Sequence, residues 1–468
     1  MHKRSNYFIA NKRGNTATLL LMTQGLFSCG GGSSHSISGE LQTLFGTAGD
    51  DLLESSTNYG RIEGLAGDDK IYGSEHGEII VPGFGSDKVF ASGGSDTINV
   101  VSFSDEIDGG SGSDTLSLNF ANIDTEVYIS LAEGLMYNTR AAAIDRSIFF
   151  NIENVEIISN NSITFFGNDE DSQIITAAGN DTLHLGSGNN IANSGAGSDH
   201  VYIAGSNSTV NLGLGDDLVT TSSLDSTIDG ANGNDKFILS PDSFETPLTI
   251  DFGLQTFTSA SRSGSLNIVN IEQYEFSETN SITIHGSDAA ESFTLFNGSG
   301  TIYGSGGGDT FTGSSEPDTY IFSQKYESSD TITNFSTSDS GSDLIIFDQA
   351  NFGLSGSAHQ EISLFSGGRK VITADVGFIF IKDQIGFSSE SALSVALSGT
   401  NGVTTTGSPL GSIICMWWEA NSSSALISLV TDFSPNNNSL DQIETVVILE
   451  NLTIGDYLSF SDSNIEFI

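Results

Sequence analysis

SQIITAAGNDTLHLGSGNNIANSGAGSDHVYIAGSNSTVNLGLGDDLVTTSSLDSTIDGANGNDKF, residues Ser172 to Phe237, is the stretch whose reading decides the fold. In steps of nine it places an apolar residue at Ile174, Leu183, Ala192, Val201, Val210, Val219, Ile228 and Phe237. Two residues before each of these stands Ser172, Asp181, Asn190, Asp199, Ser208, Asp217, Ser226 or Asp235, so that aspartate alternates with a small polar residue. Each aspartate has a glycine two places ahead of it: Gly179, Gly197, Gly215 and Gly233. Helices repeat near 3.6 residues and single strands near 2, so a period of nine requires a coil in which each repeat makes one short strand and one turn. Two repeats then close one coil, with apolar residues filling a narrow core. The four aspartates stack along one edge at one strand spacing, about 4.8 Å. Each neighbouring pair of carboxylates repels by about 0.9 kcal/mol even at the dielectric of water. A hard divalent cation removes that repulsion and suits oxygen ligands, which points to calcium.

The same register runs upstream through Leu53, Ile62, Ile71, Ile80, Val89, Ile98, Ile107 and Leu116. One edge there carries Asp51, Asp69, Asp87 and Asp105, and the other Gly60, Glu78, Asp96 and Asp114. Glycine stands two before the acid at Gly49, Gly67, Gly85, Gly94 and Gly112, and gives way to Asn58, His76 and Phe103 elsewhere, where weak or empty turns are expected. A third, shorter series places Phe293, Ile302, Phe311 and Tyr320 inward, with Gly307 before Asp309 and Glu316 in the glycine place before Asp318. The candidate metal ligands are therefore the Gly-x-Asp pairs Gly49/Asp51, Gly67/Asp69, Gly85/Asp87, Gly94/Asp96, Gly112/Asp114, Gly179/Asp181, Gly197/Asp199, Gly215/Asp217, Gly233/Asp235 and Gly307/Asp309. The second series carries acids on one edge only. Its Ser and Asn edge is expected to stack by side-chain hydrogen bonds without an ion.

Gly109-Gly110-Ser111-Gly112-Ser113-Asp114-Thr115-Leu116-Ser117 resembles, at every position, the glycine-rich nonapeptide of RTX (repeats-in-toxin) proteins. The segments from Gly304 to Thr312 and from Gly230 to Phe237 come close. The resemblance implies a parallel β-roll in which turn carbonyls and the aspartate bind calcium between turns one coil apart. It also implies a noncatalytic surface or secreted protein. The fold expected is all-β, with three parallel β-roll segments, strand-rich inserts and a C-terminal β domain.

Two connectors are related. Phe150-Asn151-Ile152-Glu153-Asn154-Val155-Glu156-Ile157 corresponds to Val269-Asn270-Ile271-Glu272-Gln273-Tyr274-Glu275-Phe276, which indicates an internal duplication. The expected order is a leader and Gly-Ser tether over 1–44, roll 1 over 45–118, an insert over 119–164 and roll 2 over 165–239. A duplicate insert over 240–284, roll 3 over 285–323, closing strands over 324–350 and a C-terminal β domain over 351–468 follow.

Lys+Arg number 15 against 59 Asp+Glu, a formal charge of −44, so nucleic acid is not an expected partner. The leader carries Lys3, Arg4, Lys12 and Arg13 before a short apolar stretch, and Leu26-Phe27-Ser28-Cys29 resembles a bacterial lipobox, making Cys29 a lipidation candidate and a lipid anchor the expected route to a membrane. An acidic C-terminus without basic residues after Lys382 resembles the uncleaved signal of type I secretion substrates. The two export readings compete, as does an ordinary acidic β domain with the second. Cys29 and Cys415 form no disulfide framework, and Cys415 lies in an apolar run that suits a buried thiol. The seven histidines form no His-Glu-x-x-His pair, and His184 and His200 read as solvated. The aspartates sit in turns expected to be exposed, where nothing raises a pKa for acid catalysis.

Two functions follow. The first is an extracellular calcium-binding structural or adhesive protein that folds on meeting calcium after export, with cell-surface glycans or other surface proteins as partners. The alternative is a glycan-active enzyme, a polysaccharide lyase, epimerase or hydrolase, with the rolls as an accessory module. Trp417, Trp418, Tyr303 and Tyr320 would offer stacking surfaces for it, although core packing suits the tryptophans better.

Overall fold

The computed structural model describes residues 17–18, 42–56, 59–120, 126–138, 146–158, 160–240, 247–261, 263–277, 281–324, 328–337, 342–354, 358–362, 370–372, 376–382, 386–398, 403–405, 412–422, 424–431 and 442–468. Cys29 lies outside them. The chain divides into two units, Met1–Val219 with Ile228–Gly233, and Thr220–Thr227 with Asn234–Ile468.

In the first unit the nine-residue period becomes two parallel sheets face to face. One contains Asp51–Glu54, Lys70–Tyr72, Lys88–Phe90 and Glu106–Asp108, and puts Leu53, Ile71, Val89 and Ile107 side by side. The other contains Gln42–Phe45, Tyr59–Glu63, Ile79–Val81, Thr97–Val100 and Thr115–Leu118, and aligns Leu44, Ile62, Ile80, Ile98 and Leu116. All nine are buried. Two repeats close one coil, as the period requires. The coils are tight enough that Gly112, at φ +145°, and Gly197, at φ +144°, have no room for a Cβ against the carbonyls of Gly94 and Gly179. The second roll repeats the pattern through Leu183 and Val201 in one sheet and Ile174, Ala192 and Val210 in the other.

Between these rolls one sheet gains a single strand, Asn154–Ile157, which is parallel to Thr115–Leu118 and to Gln173–Ile175. The other sheet gains three. Arg146–Phe150 runs parallel to Glu106–Asp108, Leu135–Asn138 turns back antiparallel, and Val127–Ser130 then runs parallel to Ile163–Phe166. The insert therefore prolongs both sheets without breaking the coil.

The second unit contains an insert of the same wiring. Leu248–Asp251 is antiparallel to Thr256–Thr258 and parallel to Ile282–His285, while Gln273–Phe276 lies between Lys236–Leu239 and Ser292–Leu295. Beyond it Phe293, Phe311 and Ile332 align, as do Ile284, Ile302, Tyr320 and Ile345. Asp330–Thr333 and Leu344–Phe347 were expected to close the roll, and instead hand it on. Asp330–Thr333 pairs in parallel with Gln442–Glu450, and Leu344–Phe347 with Ile465–Phe467. The C-terminal region adds Val376–Ile381, Ile413–Glu419 and Ser424–Thr431 to this sheet, and its helix Glu390–Ser398 packs Leu393 and Leu397 into the cluster around Trp417. Trp417, Cys415 and Tyr320 are all fully buried, Trp418 nearly so, so these residues serve the core.

Leu183 is fully buried and pairs with Phe165 and Val201 of the adjacent coils. Replacing it with Ala is expected to lower the unfolding free energy of the calcium-loaded protein by about 2–5 kcal/mol. Thr182→Ala, on the outward side of the same strand, should change it by about 0.5 kcal/mol or less. Urea unfolding of both variants checks the difference.

Candidate metal sites

In a strand, residues two apart point to the same side. An acid two places before an inward apolar residue therefore also points inward, a signal already present in the sequence. The structure corrects the expectation of exposed turn carboxylates. Asp51, Asp69, Asp87, Asp105, Asp96, Asp114, Asp181, Asp199, Asp217, Asp235 and Asp309 are all at most 4% exposed.

One carboxylate oxygen of each rung is committed to the backbone of the coil before. Asp69, Asp87 and Asp105 accept through Oδ1 the N–H of Asp51, Asp69 and Asp87 at 2.8, 2.8 and 3.0 Å. On the other edge Asp96 accepts from Glu78 at 2.7 Å and Asp114 from Asp96 at 2.7 Å. In the second roll Asp181 accepts from Ile163, Asp199 from Asp181 and Asp217 from Asp199, at 2.8, 2.8 and 2.7 Å. Asp309 accepts from Glu291 at 2.9 Å. The candidate glycines shape these turns: Gly67, Gly85, Gly94, Gly112, Gly179, Gly197, Gly215, Gly233 and Gly307 all have positive φ, and Gly49 does not.

The second oxygen divides the acids into two kinds. Oδ2 of Asp69, Asp87, Asp96, Asp105, Asp114, Asp181 and Asp199 is buried without a hydrogen-bond partner. In other turns the residue four before the acid closes that oxygen off. Thr47 gives its N–H and hydroxyl to Asp51 Oδ2 at 2.5 and 2.7 Å, Ser74 its N–H to Glu78 at 2.9 Å, Ser287 its N–H and hydroxyl to Glu291 at 2.8 and 2.8 Å, and Ser314 its N–H to Asp318 at 2.8 Å. Backbone conformation separates most of them. At Leu65, Gly83, Ser92, Gly110 and Gly195, four before five of the open aspartates, φ is positive, whereas it is not at Thr47, Ser74, Ser287 or Ser314; Val101 and Ala177, four before the open Asp105 and Asp181, are not at positive φ and carry no hydroxyl. Asp51, a candidate ligand on sequence, thus belongs to the self-capped kind, and so does Asp318, whose turn lacks the glycine.

The groups that face an open oxygen across this space are backbone carbonyls, which are themselves acceptors. A Cβ placed on Gly64 would collide with the carbonyl oxygen of Pro82, one coil on, and stand 2.5 Å from Asp69 Oδ2. The glycine leaves a space bounded by a carbonyl and an unpartnered carboxylate oxygen, and hard oxygen ligands at such range suit calcium. Among the described residues no three His, Cys, Asp or Glu side chains gather as a metal-binding group, so any cation here relies on these carbonyls. In the second roll, hydroxyls occupy the equivalent position: Thr176 Oγ1 donates to Ser194 O at 2.6 Å, and Ser194 Oγ to Leu212 O at 2.7 Å. Its opposite edge carries Asn190, whose Oδ1 accepts from Ser172 N–H and hydroxyl at 3.1 and 2.8 Å, while Nδ2 donates to the carbonyls of Leu185 and Gly188 at 2.9 and 3.0 Å. There an amide group serves the turn carbonyls.

Glu153 and Glu272 are rungs that the periodicity did not reveal. Glu153 Oε2 accepts the Asp114 N–H and Glu272 Oε2 the Asp235 N–H, each at 2.8 Å. Their separations from the aspartates, 39 and 37 residues, lie outside the repeat. The shared Asn-Ile-Glu sequence of the two connectors was their only signal. His184 and His200 are half-buried rather than fully solvated: His184 is stacked between Phe166 and Tyr202, and burial lowers the pKa of both histidines.

Burial, against the pull of the rung hydrogen bond, pushes the carboxyls of Asp69, Asp96 and Asp105 up to about 7, and that of Asp343 likewise. Asp181 rises to about 6, again through burial, with hydrogen bonds from Thr176 and Ile163 opposing. Folding thus raises these groups above the ordinary 3.8, so between about 3.8 and 7 the folded chain holds more protons than the unfolded one. Its calcium-free stability is greatest below that window and falls as pH rises through it. In chelator, thermal melts should therefore move to higher temperature on going from about pH 8 to about pH 5. Saturating calcium, which needs the ionised carboxylates, should abolish or reverse the trend. A melting temperature in chelator that rises with pH would contradict the arrangement.

Residues 60–89, 90–122 and 166–201 match the family model of the RTX calcium-binding nonapeptide repeat, in 4 copies. No curated protein matches the chain. Repeats of this family bind calcium ions at multiple sites, and the proteins that carry them are generally secreted or extracellular and generally noncatalytic in this part. Among the described residues no helix is long and apolar enough to cross a membrane. With paired parallel sheets, an eighteen-residue coil and stacked carboxylates, these segments carry RTX-type calcium-binding nonapeptide repeats.

Proposed function

We propose that the protein is an extracellular calcium-binding structural or adhesive protein that folds on calcium binding after export, and that the aspartates of its Gly-x-Asp turns are the ligands. The observation that carries this reading is the set of buried Oδ2 atoms of Asp69, Asp87, Asp96, Asp105 and Asp114, which have no hydrogen-bond partner. A buried polar atom left unpaired costs about 1–3 kcal/mol, and more when charged. Repeated turn after turn, that cost opposes folding of the ionised chain, and a formal charge of −44 adds self-repulsion. A cytoplasm poor in calcium keeps such a chain open. Outside, calcium near the affinity of extracellular modules, about 10⁻⁴ to 10⁻³ M, neutralises the turns and sets the rolls.

The same reading arranges the chain as a leader, three rolls separated by two related inserts, and a C-terminal β region. Export follows the C-terminal signal or lipid attachment at Cys29. Cell-surface glycans or other surface proteins are the proposed partners.

Circular dichroism during a calcium titration of the full chain tests the folding step. A β signal that grows between chelator and about 10 mM calcium is expected, and a flat signal over that range would sink the idea. Calorimetric stoichiometry tests the ligands. Asp199→Ala should weaken the two sites it borders, whereas Ser208→Ala, on the edge of Ser and Asn, should leave the number of bound ions unchanged. Equal loss from both would show that the edges are wrongly assigned.

A further inference from the structure

At the end of the first roll the strand Thr115–Leu118 is followed, one strand spacing on, by Asn154–Ile157 of the insert rather than by another repeat. The chain enters that strand through Phe150-Asn151-Ile152-Glu153, with Asn151 at φ +52°. This turn lies directly over the turn from Gly109 to Asp114. Phe150 O accepts the Gly109 N–H at 3.1 Å, Asn151 Nδ2 donates to Asp108 Oδ1 at 2.7 Å, and Glu153 Oε2 accepts the Asp114 N–H at 2.8 Å. Glu153 therefore occupies the place that an aspartate holds inside a roll.

Asp114 is 0% exposed, and its Oδ2 has no hydrogen-bond partner. A Cβ on Gly109 would collide with Asn151 O and stand 2.8 Å from that Oδ2. The arrangement matches the space at Gly64, where Pro82 O and Asp69 Oδ2 are the two oxygens. Here, however, the carbonyl comes from a non-repeat turn. A cleft of ≈ 230 Å³ opens at the same turn, lined by Asn151, Glu153, Asn168, Glu170 and Asp171 among others, and has room for water beside an ion.

We propose that the junction of roll and insert is itself a calcium site, held by Asp114 Oδ2, Asn151 O and the Glu153 carboxylate, with water from the cleft completing the shell. It rests on the calcium reading above and adds a site that the nonapeptide does not encode. The ion replaces the missing next repeat as the link between the last coil and the insert. The arrangement recurs in the second unit: Glu272 accepts the Asp235 N–H, Asn270 has φ +54°, and a cleft of ≈ 280 Å³ lies at the same turn.

Terbium luminescence of the full chain tests the site. Phe150, half exposed at the edge of the cleft, is changed to Trp to act as a local sensitiser, and Phe150→Trp is compared with Phe150→Trp/Glu153→Gln, the unchanged chain giving the background from Trp417 and Trp418. Sensitised terbium emission is expected in the first, displaced by calcium, with affinity on the order of tenfold weaker in the second. The calcium-induced rise in β signal should persist in both, since Gln keeps an oxygen for the Asp114 N–H. Emission at background, or emission unaffected by Glu153→Gln, in a chain that still folds with calcium overturns the junction site alone. A chain whose β signal ignores calcium overturns the calcium reading with it.

Discussion

Everything in this molecule turns on a carboxylate that is half satisfied. One oxygen accepts the backbone N–H of the acid one coil earlier, and this bond, repeated from Asp51 through Asp69, Asp87 and Asp105, fixes the register of successive coils. The other oxygen is carried inside with it. The hydrophobic column and the charged rung repeat together, and an acid moved out of step with that repeat would lose its N–H while remaining buried. Register and ion dependence thus have one origin.

The chain satisfies the second oxygen in two ways without leaving the coil geometry. A Ser or Thr four residues before the acid supplies an N–H, and often a hydroxyl, when its backbone stays at negative φ. When that residue turns to positive φ, the N–H points elsewhere and the oxygen is left for a cation. Ser92 and Ser305 have positive φ and Ser74 and Ser287 do not, so the side chain at this position does not determine the outcome.

That distinction also marks how much was legible in the sequence. The period gave the strands, the two-repeat coil and the inward columns, because a nine-residue register admits few other geometries. The inward direction of the aspartates follows from the same alternation, and only the habit of placing charge outside hid it. Backbone φ four residues before an acid was not written in residue type, so the separation of Asp51 from Asp69 needed coordinates. So did the pairing of Ile332 with Leu449, since apolar strands more than a hundred residues apart carry no mark of register. Glu153 and Glu272 fell between: their shared Asn-Ile-Glu context was visible, and its role as a rung was not.

The rolls consequently differ in what they ask of an ion. Gly46 and Gly64 leave space between a carbonyl and an acid in the first roll, with Gly64 O 2.6 Å and Asp51 Oδ2 3.0 Å from where a Cβ on Gly46 would be. Thr176 and Ser194 put hydroxyls into that position in the second roll, and Asn190 puts an amide against the carbonyls of the opposite edge. Each of these groups donates to a carbonyl that a cation would otherwise polarise. The second roll thereby meets more of its polar needs from its own side chains, while the first leaves open oxygens on both edges at Asp69, Asp87, Asp96 and Asp114. A single repeat motif thus yields turns of different polar make-up, with a glycine space five before Asp69 and hydroxyls five before Asp181 and Asp199.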